Sequence, residues 1–241
     1  MRSLLIFMVL TLGLNANAQS YSDFVKHFPR KNSTVVRDYR GRILKVKSLG
    51  VLDLSVTELQ QCADAAIRLR AEYLYRKKSY SQIQFKLTCG LNVPFDKWAN
   101  GWRVEVIGND ARLVKEKNET ANYSRQNFDD YLQVVMKYAG SASLNRDLKL
   151  RNGLPRVGDM LVLGGHPGHV VIIVDEMVRN NVHYYKFAQS WIPAQDIEIV
   201  LGYNNLKQNY GNWTPILIGG ANQKVTISGY TFSIPKNLKH F

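Results

Sequence analysis

Cysteine is scarce in this chain: among 241 residues it occurs twice, as Cys62 and Cys89. Two cysteines allow at most one disulfide or a free reactive thiol, and the sequence leaves these alternatives open. Acidic residues are also few, with 19 Asp+Glu against 32 Lys+Arg and a formal net charge of +13. Such an excess favours anionic surfaces such as lipopolysaccharide, acidic glycans or cell wall, or serves solubility alone. No nucleic-acid-binding motif accompanies the charge, so a nucleic-acid partner is not expected. No internal repeat and no low-complexity linker divides the chain. Beyond the first residues no run is long and apolar enough to cross a bilayer.

The N-terminus is different. Met1-Arg2 forms a short positive region, and Leu4 to Leu14 is apolar except for Thr11 and Gly13. Ala16-Asn17-Ala18 then places small residues where a signal peptidase reads them. Residues 1–18 are therefore expected to be a signal peptide, with cleavage before Gln19 and a single globular domain over 19–241. The expected location is outside the cytoplasm, periplasmic or secreted, where disulfides can persist. No cysteine follows the apolar run, which argues against a lipid anchor.

The remaining pattern predicts an α+β fold with a largely antiparallel sheet and packed helices, because helices come first and strands later. Thr34–Tyr39 and Ile43–Lys47 read as a hairpin. Ser55 with Glu58, or Thr57 with Gln60, reads as a capping box that opens a helix through Tyr73. Along it Leu59, Cys62, Ala66, Leu69 and Tyr73 share one face. Ile83–Cys89 alternates as a half-buried strand, and Arg103–Ile107 is a further one. Ser124 caps a helix through Tyr138. Strands are expected at Met160–Leu163, His169–Val178, His183–Ala188 and Asp196–Leu201, with Asn180-Asn181 as a tight turn.

One constellation points to chemistry. A Gly158-Asp159 turn launches the strand Met160–Leu163; a glycine-rich loop follows, and Gly168-His169 opens the next strand. Upstream lies Gln60-Gln61-Cys62-Ala63-Asp64-Ala65. This arrangement resembles the NlpC-type cell-wall endopeptidases and the CHAP amidases, which have a papain-like core. The resemblance implies Cys62 as nucleophile and His169 as general base. The imidazole would take the thiol proton and return it to the leaving amine. A third polar group would fix the useful tautomer. Gln189, Ser190 and Asp175 are candidates, and the hairpin register decides among them. If Arg179 pairs with Val182, Ser190 shares the face of His169; a one-residue slip puts Gln189 there instead. Asp175 shares the face but lies about 20 Å along the strand. Gln189 is the preferred choice, and Ser190, Trp191 and Trp102 are the substrate-binding candidates. Two features depart from those families: Gln rather than Asp precedes the cysteine, and the interval from Cys62 to His169 is longer than in small NlpC-type domains.

A broader resemblance spans nearly the whole mature chain. Gln60–Ala65, Arg68–Tyr75, Trp98 with Gly101 and Arg103, Tyr138-Ala139-Gly140 with Ser143-Leu144, Pro167-Gly168-His169, Ala188-Gln189-Ser190 and Pro193-Ala194-Gln195 are similar to the signature of exported Gram-negative proteins described as domain of unknown function 4846. It implies export and one domain, and leaves the reaction open.

Three other readings compete. Cys62 lies on the apolar stripe, where a cysteine serves as a small core residue. The capping boxes also place it a turn inside the helix, away from the N-terminal dipole. His166 and His169 with Asp159 or Asp175 offer donors for a divalent ion, although no metal or other cofactor is expected. Lastly, Trp98, Trp102, Trp191 and Trp213 beside basic residues would suit a non-catalytic envelope module that binds glycan or peptide. On the hydrolase reading the partner is cell-wall peptide.

Overall fold

In the computed structural model the described residues are 19–117, 120–202, 211–217 and 223–241. The proposed signal peptide lies outside them. Among the described residues five α-helices form: α1 (Tyr21–Lys26), α2 (Cys62–Arg76), α3 (Phe95–Ala99), α4 (Arg125–Tyr138) and α5 (Ser141–Asp147). The strands before α4 are β1 (Ser48–Val51), β2 (Gln84–Lys86), β3 (Asn92–Pro94), β4 (Trp102–Ile107) and β5 (Asp110–Lys115). After α5 come β6 (Lys149–Leu150), β7 (Met160–Leu163), β8 (His169–Arg179), β9 (Val182–Gln189) and β10 (Glu198–Val200). The last four are β11 (Thr214–Ile216), β12 (Gln223–Ile227), β13 (Tyr230–Ile234) and β14 (Leu238–His240).

The main sheet runs β1-β10-β9-β8-β7-β14-β6, with β11 also on β9, and every pairing between these strands is antiparallel. The expected α+β class with a mostly antiparallel sheet is present. Strand β8 is buried from His169 through Val174, because α2 covers the sheet at this point. Helix α2 makes this possible with small residues. Ala63, Ala65, Ala66 and Ala71 let its backbone come close to the sheet, and Ile67 and Leu69 are fully buried. Each of those two larger side chains contributes about 1.5–3 kcal/mol of apolar burial.

Helix α2 is tied to α4 by charge. Glu72 is fully buried and accepts two hydrogen bonds from Arg125, one of them Nη1–Oε2 at 3.0 Å. Arg68, 2% exposed, lies 3.4 Å from the same carboxylate. Arg68 and Glu72 are buried while Arg125 is exposed, and both arginines also reach Asp129, so Glu72 is the member whose charge depends most on its partners.

Three expectations need correction. The helix predicted from Ser55 begins instead at Cys62. The carbonyl of Gln60, which would accept from Asp64 N–H in a longer helix, takes the Ser190 hydroxyl at 2.8 Å. Gln60 Nε2 donates to Gln195 O at 3.3 Å. Tertiary hydrogen bonds thus pin Gln60 outside the helix. The hairpin at 34–47 is only a loop with bridges Arg37–Ile43 and Asp38–Gln195, because the Asp38 carboxylate gathers the N–H groups of Arg40 and Arg42 into a turn. The strand predicted to Cys89 stops at Lys86, and Cys89 is exposed.

Candidate functional site

The first turn of α2 opens onto a groove. Gln61 N–H donates to Asp64 Oδ2 at 2.9 Å, which caps the helix and makes Cys62 its first residue. At that position backbone N–H groups are unspent and the helix dipole favours negative charge. Cys62 is half-buried: it packs against the hydrophobic core and also lines a groove of about 480 Å³ with Gly140, Ser141, Gly168 and Tyr230. The backbone N–H groups of Val170, Ala63 and Cys62 itself favour the thiolate, but burial outweighs them and pushes the thiol pKa up. The Asp64 charge acts in the same direction as burial. Both cysteines are free thiols.

Across the groove the loop before β8 packs tightly. A side chain at Gly168 would collide with Ser141 Oγ and with the carbonyl of Gly165, so only glycine fits there. This loop delivers His169 to the start of β8, immediately before Val170, whose backbone N–H favours the Cys62 thiolate.

The partner of His169 is fixed by an irregularity in the hairpin. The β8–β9 register runs Arg179–Val182 to Asp175–Lys186, then shifts to Ile173–Phe187 and Ile172–Ala188. Val174 is therefore an extra residue, a β-bulge, and it supplies the one-residue slip that puts Gln189 on the face of His169. The turn at Asn180 and Asn181, with φ of 49° and 60°, sets the outer register. Gln189 Oε1 sits 2.7 Å from His169 Nε2. On the next strand Glu198 lies directly opposite Gln189, and Gln189 Nε2 donates to Glu198 Oε1 at 3.0 Å. Gln195 Nε2 reaches the same oxygen at 3.4 Å.

This row across three strands sets proton positions. An ionised Glu198 accepts only, so it takes the Gln189 amide N–H and turns the amide oxygen toward His169. Nε2 must then carry the ring proton, which leaves the lone pair on Nδ1. Burial pushes the His169 pKa down, opposed by the Gln189 hydrogen bond, so the ring is neutral at pH 7. Burial also raises the Glu198 pKa, against the two amides. Tyr230 stacks on the imidazole at 4.5 Å between centroids, and Trp191 meets it edge-on at 4.6 Å. Among the described residues no hydrogen bond joins the Cys62 sulfur to His169.

The other predicted site residues divide clearly. Ser190 is fully buried, and its hydroxyl ties β9 to the Gln60 and Gln195 carbonyls; its role is to brace the site, so it is not available to touch substrate. Trp191 lines a second pocket of about 420 Å³ with Gln189, Gln195 and Glu198. Trp102 is on β4, under Lys97, and lines neither cavity. Trp98 is buried core, and Trp213 lies beneath Lys186. Asp175 is near Lys26, and Asp159 is held by Arg151 through two 2.7 Å hydrogen bonds, so neither converges with His166 and His169 on a metal. Sequence reasoning missed Asp64, Glu198 and Tyr230. The Ser228-Gly229 turn between alternating apolar residues marks the β12–β13 hairpin that carries Tyr230, and that signal was available.

The model of one family, described as domain of unknown function (4846), matches residues 13–239. The chain belongs to that family. No curated protein and no solved structure matches it. The family match spans Cys62, His169, Gln189 and the elements that carry them, and it brings no reaction with it.

Proposed function

We propose that the protein is a papain-like thiol hydrolase, exported from the cytoplasm, that cleaves or transfers an amide in cell-wall peptide. Cys62 is the nucleophile, His169 the general base and Gln189 the residue that orients the base. The observation that carries this reading is the His169–Gln189–Glu198 row. It leaves Nδ1 unprotonated one residue away from Val170, whose N–H favours the thiolate of a cysteine at a helix N-terminus. In the reaction the sulfur attacks the amide carbonyl as Nδ1 takes the thiol proton. The imidazolium then protonates the leaving amine, and water, deprotonated by the same nitrogen, cleaves the thioester. The N–H groups of the first turn of α2 are suited to hold the developing oxyanion. The raised thiol pKa means that deprotonation belongs to the attack step, with the sulfur and ring drawn into hydrogen-bond reach by the substrate. The positive net charge suits an anionic envelope.

The raised thiol also favours a second reading, a non-catalytic envelope module for glycan or peptide. A digest of cell-wall muropeptides separates the two. Wild-type protein should release new peptide fragments seen by mass spectrometry, and Cys62→Ala should release none while unfolding at an unchanged temperature. Identical mixtures with both proteins would favour the module.

A further inference from the structure

The groove beside Cys62 holds a carboxyl group that the amide chemistry does not use. Asp64 lines it while only 5% exposed. Oδ2 caps Gln61, but Oδ1 is enclosed and has no hydrogen-bond partner. Gln60 Oε1, four residues earlier, is a second enclosed acceptor without a partner. A buried polar atom of this kind costs stability unless something donates to it. Once Asp64 is ionised both atoms are acceptors, so the element missing in that state is a donor. Lys137 lines the same groove, but its ammonium lies over the Tyr138 ring at 5.3 Å, and among the described residues it forms no ion pair with Asp64. Part of the groove lining is small: Ala63, Gly140, Ala142 and Gly165 leave room for a peptide backbone.

We propose that Asp64 is the specificity-determining residue of the groove and binds an ammonium group, the free amino end of a peptide substrate. This rests on the hydrolase reading only for the word substrate; the ammonium site stands on the orphaned oxygen. Recognition is then linked to reactivity. The Asp64 charge works against ionisation of the Cys62 thiol. A bound ammonium cancels that charge, so the correct ligand removes an obstacle to thiolate formation in the same step that positions the carbonyl.

The test compares alanyl-alanine amide with its N-acetyl derivative by NMR titration. It is run on wild-type protein, on Cys62→Ala, which cannot turn the peptides over, and on Asp64→Asn, which keeps an acceptor for Gln61 N–H. A charged hydrogen bond predicts at least about tenfold tighter binding of the free amine, with shifts at Ala63 and Asp64, and loss of the preference in Asp64→Asn. Equal affinity of the two peptides for wild-type protein would overturn the proposal, as would a preference retained by Asp64→Asn. If the preference holds but Cys62→Ala leaves muropeptide cleavage unchanged, the hydrolase reading falls and the ammonium site remains. If cleavage depends on Cys62 but no amine preference is seen, the ammonium site falls and the hydrolase reading remains.

Discussion

Replacing Asp64 by Asn should change how stability depends on pH, with a sign opposite to that of most carboxylates. Burial raises the Asp64 pKa from 3.8 to about 7, and the N–H groups of Gln61 and Asp64 only partly oppose it. The unfolded chain loses this proton near pH 4. Between about pH 4 and 7 the native state therefore holds a proton that the unfolded state lacks. Stability contributed by this group is present below pH 4 and falls as pH rises toward 7, where the loss is complete. Each tenfold change in proton affinity is worth about 1.4 kcal/mol, so the ceiling on the loss is roughly 4 kcal/mol. Asn cannot ionise. Urea unfolding of both proteins from pH 4 to 8 should show the difference, variant minus wild type, becoming more favourable by about 2–4 kcal/mol. Contributions from His169 and Glu198 are common to both proteins and cancel in this difference. A constant offset from the buried amide is also immaterial, since only the slope with pH is tested. A difference that stays flat within about 0.5 kcal/mol would refute the claim that Asp64 is buried and ionises at a cost.

Other consequences follow from the same structure. Gln189→Ala should lower kcat on muropeptides by at least about tenfold with little change in KM, because it removes the tautomer constraint on His169 along with the amide that Glu198 accepts from; an unchanged kcat would show that the row is structural alone. Glu72→Ala should cost about 3–5 kcal/mol in urea unfolding, since it leaves buried Arg68 with Asp129, at 3.5 Å, as its remaining acidic partner. A loss below about 1 kcal/mol would mean that the network behaves as a surface pair. Exported protein should have an intact mass that begins at Gln19, and an extracytoplasmic form retaining Met1 would contradict the signal peptide.

Local signals in the sequence locate the elements better than the site. Ser124 caps α4, which ends at Tyr138 as its pattern predicts, and Met160–Leu163 forms β7. These depend on caps and periodicity within a few residues. The start of α2 is misleading in the sequence because two plausible capping boxes at Ser55 and Thr57 lose to the long-range bonds that Gln60 accepts from Ser190 and donates to the Gln195 carbonyl. The difference moves Cys62 from the helix interior to its first turn, and so changes its chemistry. The choice between Gln189 and Ser190 rests on a register that the turn alone does not give. Arg179 does pair with Val182, yet the bulge at Val174 reverses the consequence. Nothing local in the Val-Val-Ile-Ile-Val run marks where an extra residue sits. Glu198 is legible as part of a strand, but its place opposite Gln189 exists only in the assembled sheet.

The central claim is that Cys62 is a nucleophile served by His169. It is tested most directly by the rate at which a peptidyl chloromethyl ketone alkylates the protein, with the adduct mapped by mass spectrometry. The adduct should form on half-buried Cys62 in preference to exposed Cys89, and His169→Ala should slow it by about 100-fold or more, the usual contribution of a general base. An adduct confined to Cys89, or a Cys62 rate indifferent to His169, would contradict the account.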